Sequence, residues 1–275
     1  MTGRIIKLIS DDYTVLGDDG QTYVCKSRGK FRIQNISPVV GDFVKIDSKQ
    51  LYILDVLPRM NCLVRPSVAN IDYIVIVTSV KDPDFSTNLL DKLLTIMEFY
   101  GVNPIICFTK LDLLEDLSEI QVYIDYYKKI GYSVYLNSEL SLIRSIFKDQ
   151  VIAFTGQSGA GKSTLLNRLN PDLRLQTNEI SKALGRGKHT TRHVELIAME
   201  GGWVADTPGF SSIDFIGMSC SDIRDCFVEF QEHRDECKYR DCMHDKEDHC
   251  AIKQLVLEKK ILKSRYDNYL KFIKR

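Results

Sequence analysis

The chain has 275 residues, of which 44% are hydrophobic and 27% charged, enough to bury at least one full core and to divide into two or three units. Its formal net charge of zero excludes an overall basic field, so a polyanionic partner would have to bind local basic patches. The longest apolar runs, such as residues 73–80, are far shorter than the roughly 20 residues of a membrane span. We therefore expect a cytoplasmic, monomeric protein with no signal peptide and no membrane partner.

Residues 1–65 predict a small antiparallel β-barrel. Short alternating runs such as GRIIKLI, YTVL and TYVCKS are interrupted by the turn-forming segments DDG, SRGK and VVGD. Within CKSRGKFR, alternate positions carry Lys26, Arg28, Lys30 and Arg32. This spacing fits a phosphate-binding patch or an ordinary solvated face. Because barrels of this class often bind RNA, we favour an RNA-binding barrel.

Residues 66–216 predict a parallel α/β sheet. The apolar strands YIVIVTSV and NPIICFTK are separated by a segment with apolar residues at helical spacing. The strands YSVYL and VIAFTG follow, and the second of them runs into a glycine-rich loop and the helical segment KSTLLNRL. VELIAME and GWVADTPGF then resemble a hairpin. Continuous apolar strands that alternate with amphipathic helices are typical of parallel sheets.

The stretch GQSGAGKST matches G-x-x-x-x-G-K-[ST], the pattern of a phosphate-binding loop. The predicted nucleotide contacts are Gly156, Gln157, Ser158, Gly159, Ala160, Gly161, Lys162, Ser163 and Thr164. The glycines let backbone amides converge on a phosphate at the start of a helix. Lys162 would reach the β- and γ-phosphates as a catalytic group, and Ser163 would bind Mg²⁺. A glycine turn without a ligand is the alternative, but strand, complete motif and helix occur in the expected order.

The segment DTPGF supplies a second part of such a site. Asp206 ends an apolar strand, where its carboxylate could hold Mg²⁺ through water, and Gly209 could offer its amide to the γ-phosphate. A lone D-x-x-G motif is weak and also fits a β-turn. Its position behind a phosphate loop favours the catalytic interpretation.

The element that reads the base precedes the phosphate loop. FTKLD resembles the [N/T]-K-x-D element of GTPases, with Thr109 where asparagine is commoner. Asp112 could accept hydrogen bonds from guanine, and the stem of Lys110 could cover the ring. Ser138 is the nearest candidate for the element that closes over the base, with Glu139 where alanine is expected. This order predicts a circular permutation, in which one loop is cut and the old termini are joined without disturbing the pocket.

The region 217–275 predicts a helical domain that binds one structural zinc ion. Three cysteines and a histidine follow the spacing C-x4-C-x-H-x5-C, the donor set of a closed tetrahedral Zn²⁺ site, at Cys237, Cys242, His244 and Cys250. His233 and His249 are alternative imidazoles. The last segment carries further cations that fit an RNA-binding patch or a solvated face, namely Lys259, Lys260, Lys263, Arg265, Lys271 and Lys274.

The order of barrel, permuted P-loop GTPase and cysteine cluster resembles the ribosome-small-subunit-dependent GTPase A (RsgA) family. The matching segments are VGDFV, RPSVANIDYIVIVTS, FTKLDLL, GQSGAGKSTLLN, GRGKHTTRH, DTPGF and the cysteine cluster. The resemblance implies an OB-type barrel and hydrolysis of GTP to GDP that is stimulated by the small ribosomal subunit and its rRNA. It further implies a role in late maturation of that subunit, and it favours His244 as the zinc ligand.

The segment GRGKHTTRH, residues 185–193, would be the mobile loop over the γ-phosphate, with Thr190 or Thr191 binding Mg²⁺. A basic loop that only touches RNA is the alternative. Regulatory GTPases often have glutamine after D-x-x-G to orient the attacking water, but Phe210 follows Gly209 here. His189 or ribosomal RNA is expected to supply that function.

Two other functions remain open from the sequence. The chain could be an ATPase of another P-loop class, which base selectivity would distinguish. It could also be an RNA-binding assembly factor whose hydrolysis is vestigial, which turnover on small subunits would distinguish.

Overall fold

The computed structural model describes residues 1–29, 31, 36–64, 67–171, 194–206 and 214–274. Several predicted site or patch residues lie outside these ranges, namely Lys30, Arg32, His189, Thr190, Thr191 and Gly209. The backbone of Asp206 is described, but its side chain is not.

Five strands form a closed N-terminal barrel, namely β1 (Thr2–Ile9), β2 (Asp12–Gly17), β3 (Thr22–Ser27), β4 (Phe43–Asp47) and β5 (Tyr52–Val56). They lie in the order β1-β2-β3-β5-β4, and β4 pairs with β1 to close the ring. The pairs are antiparallel except β3 with β5, which is parallel. The prediction of a wholly antiparallel barrel is wrong at this pair, because a closed ring with an odd number of strands must contain a parallel pair.

A short hairpin, β6 (Cys62–Leu63) with β7 (Val68–Ala69), links the barrel to the central domain. The central strands are β8 (Tyr73–Ser79), β9 (Asn103–Thr109), β10 (Ser133–Leu136), β11 (Val151–Gly156), β12 (Val194–Met199) and β13 (Gly202–Asp206). Their order is β10-β9-β8-β11-β13-β12. The first five are parallel, and β12 pairs antiparallel with β13, so the predicted parallel sheet and hairpin are confirmed.

Within the described ranges, four helices accompany the central sheet, namely α1 (Thr87–Tyr100), α2 (Ser118–Lys129), α3 (Leu140–Ser145) and α4 (Lys162–Leu169). The first three connect successive strands from β8 to β11, and α4 follows β11. All six residues of β11 are buried, as expected for a central parallel strand covered on both faces.

The barrel and the central domain share one hydrogen-bonded sheet. β1 pairs antiparallel with β12, and the ammonium of Lys7 donates to the Glu195 carboxylate at 3.0 Å. The linker is also fixed, because the buried Asp42 carboxylate accepts two hydrogen bonds from Arg59, at 2.7 and 2.8 Å. The barrel is therefore part of a continuous structure with the central domain.

The C-terminal unit contains α5 (Cys220–Asp225), α6 (Val228–His233), α7 (Ala251–Leu257) and α8 (Lys263–Ile273). A cluster of buried aromatic side chains packs these helices together, including Phe227, Phe230, Tyr269 and Phe272. The predicted helical C-terminal unit is confirmed.

Arg265 of α8 is fully buried between the C-terminal unit and the central domain. Its guanidinium donates to Asp91 of α1 at 2.9 Å and to Glu229 of α6 at 2.7 and 3.2 Å. Tyr127 and Asn268 donate to the same Asp91 carboxylate, each at 2.6 Å. Burial alone would lower the pKa of Arg265, but the charges of Glu229 and Asp91 hold it well above its ordinary value. The prediction that Arg265 belongs to an exposed basic patch is therefore wrong.

We expect Arg265→Met to lower the free energy of unfolding by about 3–5 kcal/mol, because two buried carboxylates lose their cation. Urea denaturation followed by circular dichroism measures the loss. Lys263→Met is the matched control on the same helix, since Lys263 is 79% exposed and pairs only with Asp267. A change in the Arg265 variant no larger than in this control would contradict the structural role.

Candidate functional site

The phosphate loop leaves β11 at Gly156 and enters α4 at Lys162, as predicted. Gly156 has a φ of +135°, and a Cβ at this position would lie 2.0 Å from the carbonyl oxygen of Val77. Only glycine fits there. The loop ends at the start of α4, where free backbone amides and the helix dipole favour an anion.

Lys162 folds back over its own loop. Its Nζ donates to the carbonyl oxygens of Gly156 and Gln157, both at 2.8 Å. Burial lowers the pKa of Lys162 to about 8, and a bound phosphate would raise it again through its negative charge. Ser163 is buried in the first turn of α4, which fixes the position of its hydroxyl.

The carboxyl ends of the parallel strands meet at one edge of the sheet, which is where ligands bind in such folds. Asp206 is the last residue of β13. β13 pairs directly with β11, the strand that leads into the phosphate loop. The fold therefore brings the strand of the predicted Mg²⁺-binding carboxylate next to the strand of the phosphate loop.

Thr109, the last residue of β9, fastens the base-reading strand to the phosphate loop. Its hydroxyl donates to the carbonyl oxygen of Ala160 at 2.6 Å, and the side chain is 2% exposed. Threonine can therefore replace the commoner asparagine, because a hydroxyl suffices for this bond. Sequence reasoning placed Thr109 among the nucleotide contacts, whereas its hydroxyl binds the backbone of the loop.

The residues after Thr109 lie at the edge of the sheet that is formed by the carboxyl ends of the parallel strands. Lys110 has a left-handed backbone, with a φ of +61°, and its ammonium donates to the carbonyl oxygen of Asp82. Asp112 lies in the short 3-10 helix Leu111–Leu113 and is exposed. Within the described ranges, no donor contacts the Asp112 carboxylate, so its oxygens can accept hydrogen bonds from a ligand.

Residues 137–139, here named the base-closing loop, follow β10 and lie beside the end of β9. The N–H of Asn137 donates to the carbonyl oxygen of Phe108 at 2.9 Å, and the N–H of Glu139 donates to that of Leu136 at 2.9 Å. Ser138 is exposed at the tip, and no acceptor among the described residues contacts its N–H. The free backbone amide of the loop therefore belongs to Ser138.

The four predicted metal ligands converge in the C-terminal unit. The ligand atoms of Cys237, Cys242, His244 and Cys250 lie within 4.8 Å of one another. The Sγ atoms of Cys237 and Cys250 are 3.9 Å apart, and Nδ1 of His244 lies 3.3 Å from the Cys250 Sγ. Zinc–sulfur bonds of roughly 2.3 Å give a tetrahedral edge of about 3.8 Å, so these residues fit a metal ion.

Of the three histidines considered, only His244 joins this cluster. His233 instead contacts Glu236 at 2.8 Å, and His249 is exposed. Burial lowers the pKa of His244 to about 4, so its imidazole is neutral, which is the form that binds metals.

Two tyrosines at helical spacing, which the sequence analysis did not single out, hold this metal-ligand loop. The hydroxyl of Tyr266 donates to the carbonyl oxygen of His244 at 2.6 Å, and that of Tyr269 donates to Met243 at 2.5 Å. Both tyrosines lie on α8, the helix of Arg265. Their spacing carried the signal for a helix, but it did not reveal these polar contacts.

Within the described parts of the chain, no helix combines the length and the apolar character that crossing a bilayer requires.

The fold and the site define a P-loop nucleotide-binding protein in which β9, the strand that leads into the T-K-x-D segment, precedes the phosphate loop. A family model described as RsgA GTPase matches residues 56–216, and one described as RsgA N-terminal domain matches residues 2–51. The chain belongs to the RsgA GTPase family.

Relatives match along nearly the whole chain. Small ribosomal subunit biogenesis GTPase RsgA 2 of Oceanobacillus iheyensis is 48% identical, with 98% of this chain and 96% of the relative covered. The RsgA of Bacillus subtilis is 46% identical, with the same coverage. The crystal structure of YloQ, described as a circularly permuted GTPase, has a TM-score of 0.82 at 39% identity and covers 99% of this chain and 93% of its own. The crystal structure of YjeQ from Thermotoga maritima has a TM-score of 0.83 at 32% identity, and the match covers 99% of this chain and 96% of that structure. The predicted family and permuted fold are confirmed.

We expect Thr109→Val to weaken GDP binding about tenfold, because the valine cannot donate to the buried carbonyl of Ala160 and leaves the phosphate loop less well fixed. Thr109→Ser keeps the hydroxyl and is the matched control. Titration with a fluorescent GDP analogue compares the two variants. Equal affinities would mean that this hydrogen bond does not support the nucleotide site.

Proposed function

We propose that this protein hydrolyses GTP to GDP and phosphate with Mg²⁺, and that the small ribosomal subunit stimulates the reaction during late maturation of that subunit. The observation that carries the proposal is the hydrogen bond from Thr109 to Ala160, which places the T-K-x-D segment beside the phosphate loop. The names of the relatives supply the ribosomal subunit as the partner.

Guanine is the base that the exposed Asp112 would select. Its carboxylate accepts hydrogen bonds from the ring N–H and the exocyclic amine of guanine, which adenine does not present at these positions. The stem of Lys110 covers the ring, and the free N–H of Ser138 faces the base oxygen. This arrangement favours GTP over the alternative of an ATPase.

The phosphates would be bound by the loop 156–164. Lys162 would contact the β- and γ-phosphates, and Ser163 and Asp206 would hold Mg²⁺ together with Thr190 or Thr191. The ion neutralises charge that develops on the phosphates. Gly209 offers its amide to the γ-phosphate.

The group that orients the attacking water is proposed to be His189 or ribosomal RNA. Phe210 follows Gly209, and its ring has no hydrogen-bonding atom for water. Binding of the small subunit would order residues 185–193 over the γ-phosphate and complete the site. The protein acts in this proposal as a cytoplasmic monomer.

The barrel is proposed to bind rRNA. The guanidinium of Arg28 lies 5.8 Å from the ring centroid of the exposed Tyr52, and that of Arg4 lies 4.8 Å from the exposed Phe43. Lys26 is also exposed, although it pairs with Asp12. Exposed aromatic rings next to cations are the groups on which RNA bases stack and to which phosphates bind.

The metal in the C-terminal unit is proposed to be one structural Zn²⁺. Three thiolates and one imidazole fill a tetrahedral shell, so no position remains for a substrate. Burial raises the pKa of the Cys242 thiol to about 12, and a bound cation would lower it and bind the thiolate.

Cys242→Ser should reduce the zinc content from about one ion per chain to nearly none and lower the melting temperature, because structural zinc sites fold and bind as one event. Elemental analysis after gel filtration gives the stoichiometry. Cys220→Ser, which changes an exposed thiol outside the cluster, is the control and should retain the metal. Protein that contains no zinc before any substitution would exclude this metal.

Basal GTP turnover should be slow, on the order of 10⁻⁴ s⁻¹ as for unassisted small GTPases, and small subunits should accelerate it by orders of magnitude. The measurement is steady-state phosphate release with equal masses of small subunits, large subunits and naked RNA, and Lys162→Ala is the inactive control. A Tyr52→Ala, Arg28→Ala double variant should lose stimulation but keep the basal rate. Equal stimulation by all three additions would contradict a ribosomal role.

A further inference from the structure

Two arginines connect α4, the helix after the phosphate loop, with the base-closing loop and with α3, the helix that follows that loop. Arg168 of α4 donates to the carbonyl oxygen of Asn137 at 3.0 Å. In the opposite direction, Arg144 of α3 donates to the carbonyl oxygens of Arg168 and Leu169, both at 3.1 Å. We name this reciprocal pair, Arg144 and Arg168, the arginine clasp.

The base-closing loop is anchored on both sides of its tip. Asn137 accepts from Arg168 and donates its N–H to Phe108. The Glu139 carboxylate accepts from the N–H of Leu136 at 2.7 Å, which gives the unexpected glutamate a definite role. Both neighbours of Ser138 are therefore hydrogen-bonded, and Arg168 ties the loop directly to α4.

We propose that Arg168 and Arg144 are positioning residues for guanine selectivity, which hold the base-closing loop so that the Ser138 N–H meets O6 of the base. The inference rests on the proposed function, in which Asp112 reads the other edge of guanine. Adenine carries an amino donor in place of O6, so a rigidly held N–H opposes it donor to donor. A loosely held loop could turn away and lose this discrimination.

The clasp also connects base recognition with phosphate recognition. The helix that provides Arg168 begins with Lys162 and Ser163, the residues assigned to the phosphates and Mg²⁺. A purely structural role would be different, because Arg144 would then act by capping the last carbonyls of α4 and by pairing with Glu200 at 3.5 Å. That role would affect every nucleotide equally, since it would act through the phosphate loop.

Arg168→Ala should weaken GDP binding about tenfold, equivalent to one ordered hydrogen bond. ADP binding should become no weaker, because the loosened N–H no longer opposes the adenine amino group. Affinities are measured by competition with a fluorescent GDP analogue. With small subunits present, KM for GTP should rise while kcat stays the same, because Arg168 contacts neither the phosphates nor the Mg²⁺ ligands. Arg168→Lys should restore part of the affinity, since an ammonium can also donate to Asn137.

Lys148→Ala changes an exposed lysine outside the clasp and should alter none of these values. An equal loss of GDP and ADP affinity in Arg168→Ala, or no loss of GDP affinity, would overturn the inference. Asp112→Asn separately tests the proposed reading of guanine by Asp112, on which the inference rests. If it leaves guanine selectivity intact, the base reader itself is wrong; if it abolishes selectivity and Arg168→Ala does not, only the clasp is wrong.

Discussion

Antiparallel pairing of β1 with β12 makes the barrel and the central domain one sheet of eleven strands. The pairing covers the first two residues of the edge of β12, Val194 and Glu195, which would otherwise expose unpaired backbone groups to other chains. It also joins the backbone of the barrel to the domain that carries the phosphate loop. β12 leads through a hairpin into β13, the strand that ends at Asp206. A displacement of the barrel would therefore act on backbone that is hydrogen-bonded to the central domain. At this point the two units are connected by backbone hydrogen bonds and not by a flexible linker.

Base and phosphate recognition are held together by contacts between elements that are distant in sequence. Thr109 reaches across 51 positions to Ala160, and Arg168 reaches across 31 positions to Asn137. Neither contact depends on whether the base reader comes before or after the phosphate loop in the chain. This explains physically why a permuted order preserves the pocket, since the pocket is defined by neighbouring strand ends and their side-chain bonds.

The local motifs were predictable because each consists of a short segment of fixed spacing. The phosphate loop, the T-K-x-D segment and the cysteine cluster are of this kind, and with them the sequence indicated the family and the fold class, both now confirmed. The roles of individual site residues and the domain limits stay predictions. The environment of Arg265 cannot be predicted from the sequence, because an arginine on an amphipathic helix has the same local pattern whether it faces water or two buried carboxylates. Only the packing of three helices decides between these environments. The β3–β5 parallel pair likewise follows from ring closure, which no single strand encodes.

The buried Arg265 also constrains the order in which a newly made chain can fold. Asp91 is synthesised 174 positions before the cation that neutralises it, and Glu229 is 36 positions before it. Until α8 has left the ribosomal tunnel, burying the ionised carboxylate of Asp91 without its cation is costly. Helix α1 therefore cannot reach its final packing while translation continues through the C-terminal unit. The packing of α1 is completed only once α8 has been synthesised, so the central domain and the C-terminal unit finish folding together.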